Sequence, residues 1–185
     1  MDKKVVDIIV DMQNDFVTGS LGTKKAETIA PLVVQTASQA IEDGHLVYFT
    51  MDTHTPEYPY TREGRALPVK HCIKGTSGWD LIPSVKEVAE RLCCKTLVEK
   101  STFGSAALAE IIKKDISVGE IEKIRIYGVC TGICVAANAI LLRTAFPETD
   151  IEILEDCCAC VTPSSHKSAI DTLWTMQFKI KKSEV

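Results

Sequence analysis

The strongest candidate for a nucleophile in this sequence is Cys134, which follows an apolar run and a turn that contains Gly128 and Gly132. A helix that begins near Cys134 would favour a thiolate, because the helix dipole is positive at its N-terminus and the first N–H groups are free. The same N–H groups can stabilise an oxyanion. Covalent catalysis is therefore one interpretation of Cys134, and a buried cysteine that only packs in the core is the other.

A catalytic thiol needs a proton acceptor and is helped by a nearby cation. Asp11 and Lys100 each follow a predicted strand, so they can supply these two functions beside Cys134. His166 falls inside a predicted helix, which disfavours a Cys-His dyad. The spacing between Cys130 and Cys134 is C-x-x-x-C, and a thioredoxin-type C-x-x-C motif is therefore excluded.

A second group of residues has the composition of a metal site. Asp52 and His54 stand two positions apart, so in extended chain their side chains point to the same side, and His71 follows after a long loop. One carboxylate and two imidazoles suit zinc, or iron or manganese with water at the open positions. Glu63 and Glu57 lie in the same loop as possible further ligands, and Glu57 is better explained as a solvated surface carboxylate.

Secondary structure alternates between β-rich apolar runs and helical patterns along the chain. This alternation predicts an α/β fold with an open, mostly parallel six-stranded sheet and helices on both faces, in a Rossmann-like arrangement of three layers. The predicted strands cover residues 5–10, 45–51, 95–98, 123–129, 151–154 and 178–180. Helical spacing is clearest over residues 29–41, 107–112, 133–146 and 163–177, with Pro31 in the first turn of its helix.

In parallel sheets of this kind, ligands bind beyond the carboxyl ends of the strands. The chemically active side chains meet this condition, and the irregular segment over residues 52–83 is interpreted as a functional loop at the same edge. The polar residues that follow predicted strands are Asp11, Asp52 with His54, Lys100, the turn from Cys130 to Cys134, and Asp156.

Composition fits a single domain over residues 1–185 and excludes several other classes. The net charge of −4 gives no basic surface for nucleic acid. The uncharged run from Ile126 to Leu142 contains turn residues and is interpreted as a strand, a turn and a helix rather than a membrane span. Without a predicted signal peptide, the eight cysteines, including the pair Cys93 and Cys94, fit a reducing cytoplasm. The cluster at 157, 158 and 160 is attributed to core packing, with metal storage or redox chemistry as the alternative.

Six ordered blocks resemble the nicotinamidase branch of the isochorismatase-like cysteine hydrolases, and the resemblance covers almost the whole chain. The blocks are Asp11-Met-Gln-Asn-Asp-Phe16, Asp52-Thr-His54, His71-Cys-Ile-Lys-Gly-Thr-Ser-Gly78, Lys100-Ser-Thr-Phe103, Gly128-Val-Cys-Thr-Gly-Ile-Cys134-Val and Asp156-Cys-Cys-Ala. This resemblance implies a catalytic triad of Asp11, Lys100 and Cys134 and a metal site of Asp52, His54 and His71, with Glu63 as a further ligand.

The same resemblance implies roles for the surrounding residues. A cis peptide bond is expected between Val129 and Cys130, in a turn continuing through Thr131 whose backbone N–H groups at Cys130 and Cys134 hold the oxyanion. The residues expected to contact substrate are Phe16, Phe103 and Leu67. Relatives commonly place Trp or Phe three residues before the metal-binding histidine, where this sequence has Pro68.

The function implied is a metal-assisted amidohydrolase that converts nicotinamide to nicotinate and ammonia through a thioester. Other family hydrolases, acting on isochorismate or on carbamoyl or ureido amides, are alternatives, and so is a non-catalytic binding member. Isochorismatases generally lack the metal residues, which argues against that substrate. The expected metal is zinc, with iron or manganese as alternatives, and the expected partners are a small amide and further copies of the chain, without nucleic acid or membrane.

Overall fold

The computed structural model describes residues 3–92 and 96–185, and its centre is one six-stranded sheet. Every pairing in the sheet is parallel, and the strand order is β3-β2-β1-β4-β5-β6. The prediction of an open α/β sheet is thus confirmed. The strands are β1 (Lys4–Val10), β2 (Leu46–Asp52), β3 (Leu97–Lys100), β4 (Ile121–Val129), β5 (Asp150–Ala159) and β6 (Lys179–Lys181).

The central strands are buried on both faces, which explains their continuous apolar sequences. Six consecutive residues of β1 are buried, from Val5 to Val10. Ile8 pairs with Tyr48 on β2 and with Ile126 on β4, so the middle of the sheet is apolar on both sides. A parallel sheet covered by helices on both faces needs this composition, whereas a half-solvated strand would alternate.

In the described part of the chain, seven α-helices connect the strands. They are α1 (Asn14–Val17), α2 (Lys24–Glu42), α3 (Arg62–Ala66), α4 (Pro83–Ala89), α5 (Leu108–Asp115), α6 (Ala136–Ala145) and α7 (Pro163–Thr175). The predicted position of Pro31 is wrong, because Pro31 lies inside α2. The helix begins earlier than its apolar spacing indicated, since the Thr23 hydroxyl accepts the N–H of Ala26 and caps the first turn.

The two halves of the chain leave the centre of the sheet in opposite directions. The path β1, β2, β3 proceeds to one edge and β4, β5, β6 to the other. Right-handed crossovers therefore place their helices on opposite faces. Consistent with this, α2 packs on α4 and α5 packs on α6. The direction reverses between β1 and β4, which is where ligands bind in folds of this kind.

The carboxyl ends of four neighbouring strands, β3, β2, β1 and β4, bring the candidate residues to one edge. Asp11 follows β1, Asp52 ends β2, Lys100 ends β3 and Cys130 follows β4. Asp52 and Lys100 are direct partners in the parallel register of β2 and β3.

Two predicted strand boundaries differ from the structure at this edge. Strand β3 begins later than predicted and extends through Lys100, while Lys95, like Cys93 and Cys94, lies outside the described residues. Strand β5 is longer than predicted, so Asp156 lies within it rather than beyond its end. The Asp156 carboxylate accepts hydrogen bonds from the backbone and hydroxyl of Ser183, which gives it a structural partner.

The uncharged run from Ile126 to Leu142 divides into the end of β4, a turn and the first part of α6, as interpreted from its turn residues. Within residues 3–92 and 96–185, no helix is both long and apolar enough to cross a membrane.

Candidate active site

Asp11, Lys100 and Cys134 meet beyond the carboxyl ends of β1, β3 and β4. The Lys100 Nζ atom lies 2.7 Å from Asp11 Oδ2 and 3.7 Å from Cys134 Sγ. The Asp11 backbone has a φ of 51°, and its other carboxylate oxygen accepts the hydroxyl of Thr50 at 2.6 Å. All three side chains are buried, so their charges interact with little screening by water.

The turn that carries Cys134 begins with a cis peptide bond between Val129 and Cys130, as the resemblance implies. Gly128 precedes it with a φ of 125°, and a Cβ atom there would lie 2.2 Å from the carbonyl oxygen of Val10. Only glycine allows strands β1 and β4 to approach so closely in this conformation.

Cys134 itself lies in a π-helical turn, Thr131–Val135, and α6 starts only at Ala136. The predicted helix over residues 133–146 therefore begins later than expected. The carbonyl oxygen of Cys130 accepts the N–H groups of Ile133 and Val135 and so anchors this turn.

Asn138 contacts the turn of Cys134 from α6 and was not identified from the sequence. Its side-chain amide donates to the carbonyl oxygen of Cys134 at 2.8 Å, and its oxygen accepts the N–H of Ser105 at 2.9 Å. The side chain is fully buried. A buried amide in an otherwise apolar helix, four positions after the cysteine, is the sequence signal that could have identified it.

Burial shapes the electrostatics of the three central groups. Desolvation raises the pKa of Cys134 well above its usual range, and the attraction of Lys100 only partly opposes this effect. The rise in the pKa of Cys134 that burial causes thus outweighs the stabilisation of the thiolate that was expected from a helix N-terminus. Desolvation also raises the pKa of the Asp11 carboxyl, against the opposing charge of Lys100. Burial alone would lower the pKa of Lys100, but Asp11, Cys134 and Asp52 together raise it and keep the ammonium charged.

Asp52, His54 and His71 form a compact cluster beside this group. Asp52 Oδ2 lies 2.9 Å from His54 Nε2 and 3.5 Å from His71 Nε2. One ligand atom from each residue falls within 4.8 Å of the others. His71 Nδ1 lies 2.8 Å from the carbonyl oxygen of Val69, so this nitrogen donates and Nε2 is the atom available to a metal.

The cluster fits a divalent metal on the chemistry of its donors. His54 Nε2 is buried and has no well-aligned hydrogen-bond partner among the described residues, although Asp52 lies close by. Burial would raise the pKa of Asp52, but contacts with His54 and His71 and the charge of Lys100 lower it below its usual range. Glu63 Oε1 lies 3.9 Å from the Nε2 atoms of both histidines, at the border of the cluster.

Two further side chains hold this cluster in place, and neither was identified from the sequence. The Gln13 side chain donates to the Asp52 carbonyl oxygen at 2.9 Å and accepts the Asp52 N–H at 2.7 Å. The buried ring of Tyr58 contacts the imidazoles of His54 and His71, with centroids 4.6 and 4.8 Å away. The Tyr58 hydroxyl donates to the Leu67 carbonyl oxygen. The sequence did not indicate Tyr58, because its loop has no periodic pattern that predicts burial.

An open cavity of about 390 Å³ lies beside the cluster and contains three of the predicted residues in its lining. His54, Glu63 and Phe103 line it, and Phe103 is 48% exposed. Phe16 lies beside His71, with its ring centroid 5.4 Å from that of the imidazole. The described lining includes Ala66 rather than Leu67, which is 39% exposed and contacts the site through its main chain.

Comparison with known proteins identifies similar sequences and folds. Residues 6–180 match the isochorismatase domain. The chain is 30% identical over 181 residues to Nicotinamidase 1 of Arabidopsis thaliana, and the match covers 85% of this chain and 70% of that protein.

Solved structures share the fold over nearly the whole chain. The nicotinamidase/pyrazinamidase PncA from Bacillus subtilis has a TM-score of 0.84 at 25% identity, covering 97% of this chain and 100% of that one. The pyrazinamidase of Pyrococcus horikoshii, solved in complex with zinc, has a TM-score of 0.79 at 24% identity, with coverages of 97% and 99%. At this lower identity the similarity establishes the fold alone.

Proposed function

This chain belongs to the isochorismatase family, and from that membership and the geometry of the site we propose that it is a metal-assisted cysteine amidohydrolase acting on nicotinamide. The observation that carries the proposal is the contact of one ammonium, Lys100 Nζ, with Asp11, Cys134 and Asp52. A thiol, a proton acceptor and a metal-binding carboxylate thus share one buried cation.

The relatives define the class of reaction, and the site defines how this chain carries it out. Nicotinamidases cleave a linear amide, and an amide-bond hydrolase is the coarse activity that follows from the family and its nicotinamidase members. Nicotinamide as the particular substrate, and a place in NAD salvage, belong to our proposal.

The first half of the proposed reaction is acylation of Cys134. The Asp11 carboxylate takes the thiol proton as the sulfur attacks the amide carbonyl carbon, and Lys100 stabilises the negative charge that moves between them. The turn through Val129, Cys130 and Thr131 presents the N–H groups of Cys130 and Cys134 to the developing oxyanion. Asp11 then gives its proton to the leaving nitrogen, and ammonia departs.

The second half is hydrolysis of the thioester. Asp11, again unprotonated, takes a proton from a water molecule that attacks the acyl carbon. The Cys134 thiolate leaves the acyl carbon and takes the proton from Asp11, and the acid product departs as a carboxylate after losing its own proton to solvent. The raised pKa of Asp11 supports this cycle, because a carboxyl with a pKa closer to neutrality is a stronger base than an exposed aspartate.

Asp52, His54 and His71 would hold the metal, with Glu63 as a further ligand. When bound, a divalent ion supplies Lewis acidity, an anchor for a ring nitrogen and activation of water. Two imidazoles and a carboxylate favour zinc, with iron or manganese as alternatives. Phe16, beside His71, and Phe103, in the cavity lining, would contact the substrate ring, with Leu67 at the margin of the cluster.

A carbamoyl or ureido amide is the second candidate substrate class. Pro68 stands where nicotinamidase relatives commonly carry an aromatic residue before the metal histidine, so the expected stacking surface for a pyridine ring is altered. The same nucleophile and metal cluster can act on a non-aromatic amide. A non-catalytic ligand-binding protein is the third possibility.

Ammonia release from an amide panel separates these candidates. The panel contains nicotinamide, pyrazinamide, a carbamoyl amino acid and a linear alkyl amide, each with and without added zinc. We expect release from the pyridine and pyrazine amides and none from the Cys134→Ala variant. Release from the carbamoyl compound alone would change the substrate class. No release from any amide, with Cys134 alkylated no faster than the other cysteines, would support a binding protein.

We also propose that the protein works in the cytoplasm as a homo-oligomer. The six described cysteines at positions 72, 130, 134, 157, 158 and 160 are free, which fits a reducing compartment. The homo-oligomer stays a prediction that sedimentation of the purified chain can test.

A further inference from the structure

Cys130 and Cys160 occupy matching positions at the ends of two neighbouring parallel strands. In the register of β4 and β5, Gly128 pairs with Cys158 and Val129 with Ala159, so Cys130 and Cys160 follow the last pair. Neighbouring strands are about 4.8 Å apart, and disulfides join Cα atoms separated by about 4.4–6.8 Å. The last register pair, Val129 with Ala159, therefore brings the backbones next to Cys130 and Cys160 into the range that a disulfide spans.

The two side chains also lie close to each other. Cys160 is near enough to Cys130 to raise the pKa of its thiol, through charge and a side-chain contact. Cys160 Sγ points toward the nucleophile turn, since a Cβ atom on Gly132 would lie 3.8 Å from it. Cys158, two positions earlier on β5, has Gly128 opposite it and so faces no sulfur in the register.

A small oxidant can reach this pair from the surface. Cys160 is 4% exposed and lines two open cavities of about 510 and 460 Å³ on either side of the N-terminal end of α7. Cys130 is half-buried rather than enclosed. Neither thiol is assigned a role as nucleophile or metal ligand in the proposed reaction.

We propose that Cys130 and Cys160 are a redox pair that a low-molecular-weight disulfide, such as oxidised glutathione, converts to an intramolecular disulfide. The Cys160 thiolate attacks one sulfur of the small disulfide, which forms a mixed disulfide and releases one thiol. Cys130 loses its proton to solvent and attacks the Cys160 sulfur, and the second small thiol leaves. Two cysteine thiols are oxidised, and one external disulfide is reduced to two thiols. Burial raises the pKa of Cys130 to about 12, so Cys130 is protonated at neutral pH and does not make the first attack.

The disulfide would act on the turn that carries Cys134. The Cys130 carbonyl oxygen accepts the N–H groups of Ile133 and Val135 at 3.0 and 3.1 Å and so anchors that turn. A sulfur–sulfur bond of about 2.05 Å is shorter than any non-bonded contact, and its formation draws Cys130 toward β5. Displacement of the anchor moves the backbone N–H groups proposed to hold the oxyanion. This effect on catalysis rests on the proposed function, whereas formation of the disulfide does not.

The test treats the reduced full-length protein with oxidised glutathione, blocks free thiols by alkylation and maps non-reduced peptides by mass spectrometry with fragmentation. We expect a link between Cys130 and Cys160 in the unaltered protein and in Cys158→Ala, and none in Cys160→Ala. A link to Cys134 instead, or glutathione retained on Cys160 without an internal bond, would overturn the proposal.

Activity on the best amide is measured on the same samples. Oxidation should lower the rate by about 10-fold or more, with recovery after reduction by a phosphine. The Cys160→Ala variant should keep its activity under oxidation. If Cys160→Ala loses as much activity under oxidation as the unaltered protein does, the loss comes from Cys134. The regulatory role is then wrong, even if the unaltered protein forms the disulfide. If no amide is cleaved at all, peptide mapping still decides the disulfide.

Discussion

Lys100 and Asp52 join the two halves of the site, because the Lys100 ammonium lies 3.2 Å from Asp52 Oδ1 while Asp52 Oδ2 faces the two histidines. The pair arises directly from the parallel register of β2 and β3, in which these residues are opposite each other. A change in the cluster of Asp52, His54 and His71 should therefore alter the charge next to Cys134, and a change at Lys100 should alter the cluster.

Replacement of the shared cation should damage both activity and stability. In Lys100→Met the side-chain length is kept but the charge that lowers the pKa of Asp11 is lost, so Asp11 is more often protonated and cannot accept the thiol proton. We expect amide hydrolysis to fall about 100-fold or more, and the free energy of unfolding to fall by about 3–5 kcal/mol because two carboxylates lose a buried partner. Steady-state kinetics and urea unfolding measure the two effects.

Lys74→Met is the matched control for this change. Lys74 forms an exposed ion pair with Glu99, one position before Lys100 on the same strand. Exposed pairs contribute about 0–1 kcal/mol, so both measurements should stay close to the unaltered protein. Equal losses in the two variants would contradict a specific role for Lys100.

Removal of the metal should weaken substrate binding, and the affinity for the metal should depend on one loop carboxylate, Glu63. After dialysis against a chelator, Cys134→Ala protein should bind nicotinamide more weakly by calorimetry, and added zinc should restore binding. Glu63→Gln should lower zinc affinity by about 10-fold, because Glu63 borders both imidazoles. Glu57→Gln, an exposed carboxylate of the same loop, should leave it unchanged. Full binding by metal-free protein would exclude the proposed anchor.

Tyr58 should position the two histidines through packing more than through its hydroxyl. Tyr58→Phe loses the hydrogen bond to Leu67, which should cost about 0.5–1.5 kcal/mol of unfolding free energy and leave zinc affinity nearly unchanged. Tyr58→Leu removes the ring from both imidazoles and should lower zinc affinity by about 10-fold. Zinc competition titrations compare the variants, and equal zinc affinity in both would show that the ring does not hold the imidazoles.

Gly128 should tolerate no side chain. In Gly128→Ala the new Cβ would lie 2.2 Å from a backbone oxygen of Val10 at a positive φ, so β1 and β4 must separate. We expect a loss of about 3 kcal/mol or more in urea unfolding. Gly119→Ala serves as the control, since a Cβ there meets nothing within 4 Å. A small effect at both positions would disprove the close approach.

His166 should contribute a pH dependence to stability. Its Nδ1 lies 2.8 Å from the hydroxyl of Thr131, and burial lowers its pKa below the usual range, with Glu155 opposing and Lys25 adding to the shift. The unfolded chain therefore binds a proton more readily than the folded one, so this contribution is present above about pH 6.5 and is lost as the pH falls below it. The urea midpoint of His166→Gln should drop less between pH 7.5 and 5.5 than that of the unaltered protein, and an equal drop would contradict the prediction.

Much of the site was predictable because its residues follow strands with a clear apolar signature. Asp11, Asp52, Lys100 and Cys130 stand at or just after such strands, and parallel pairing alone brings strand ends to one edge. Residues without such a signal were missed. Tyr58 lies in a loop, and Gln13 and Asn138 act through hydrogen bonds to backbone groups that no periodicity reveals.

The amino-acid sequence by itself determined the alternation of strands and helices, the chemical types at the strand ends and the family resemblance, because these depend on local patterns of apolar and polar residues. Only the tertiary structure decided that one ammonium contacts two carboxylates and a thiol, and that Cys130 comes close to Cys160. It also decided the direction of the pKa shifts, which depend on burial and on charges from distant segments. Distances between residues far apart in the chain arise from strand register and packing, and no local pattern contains them.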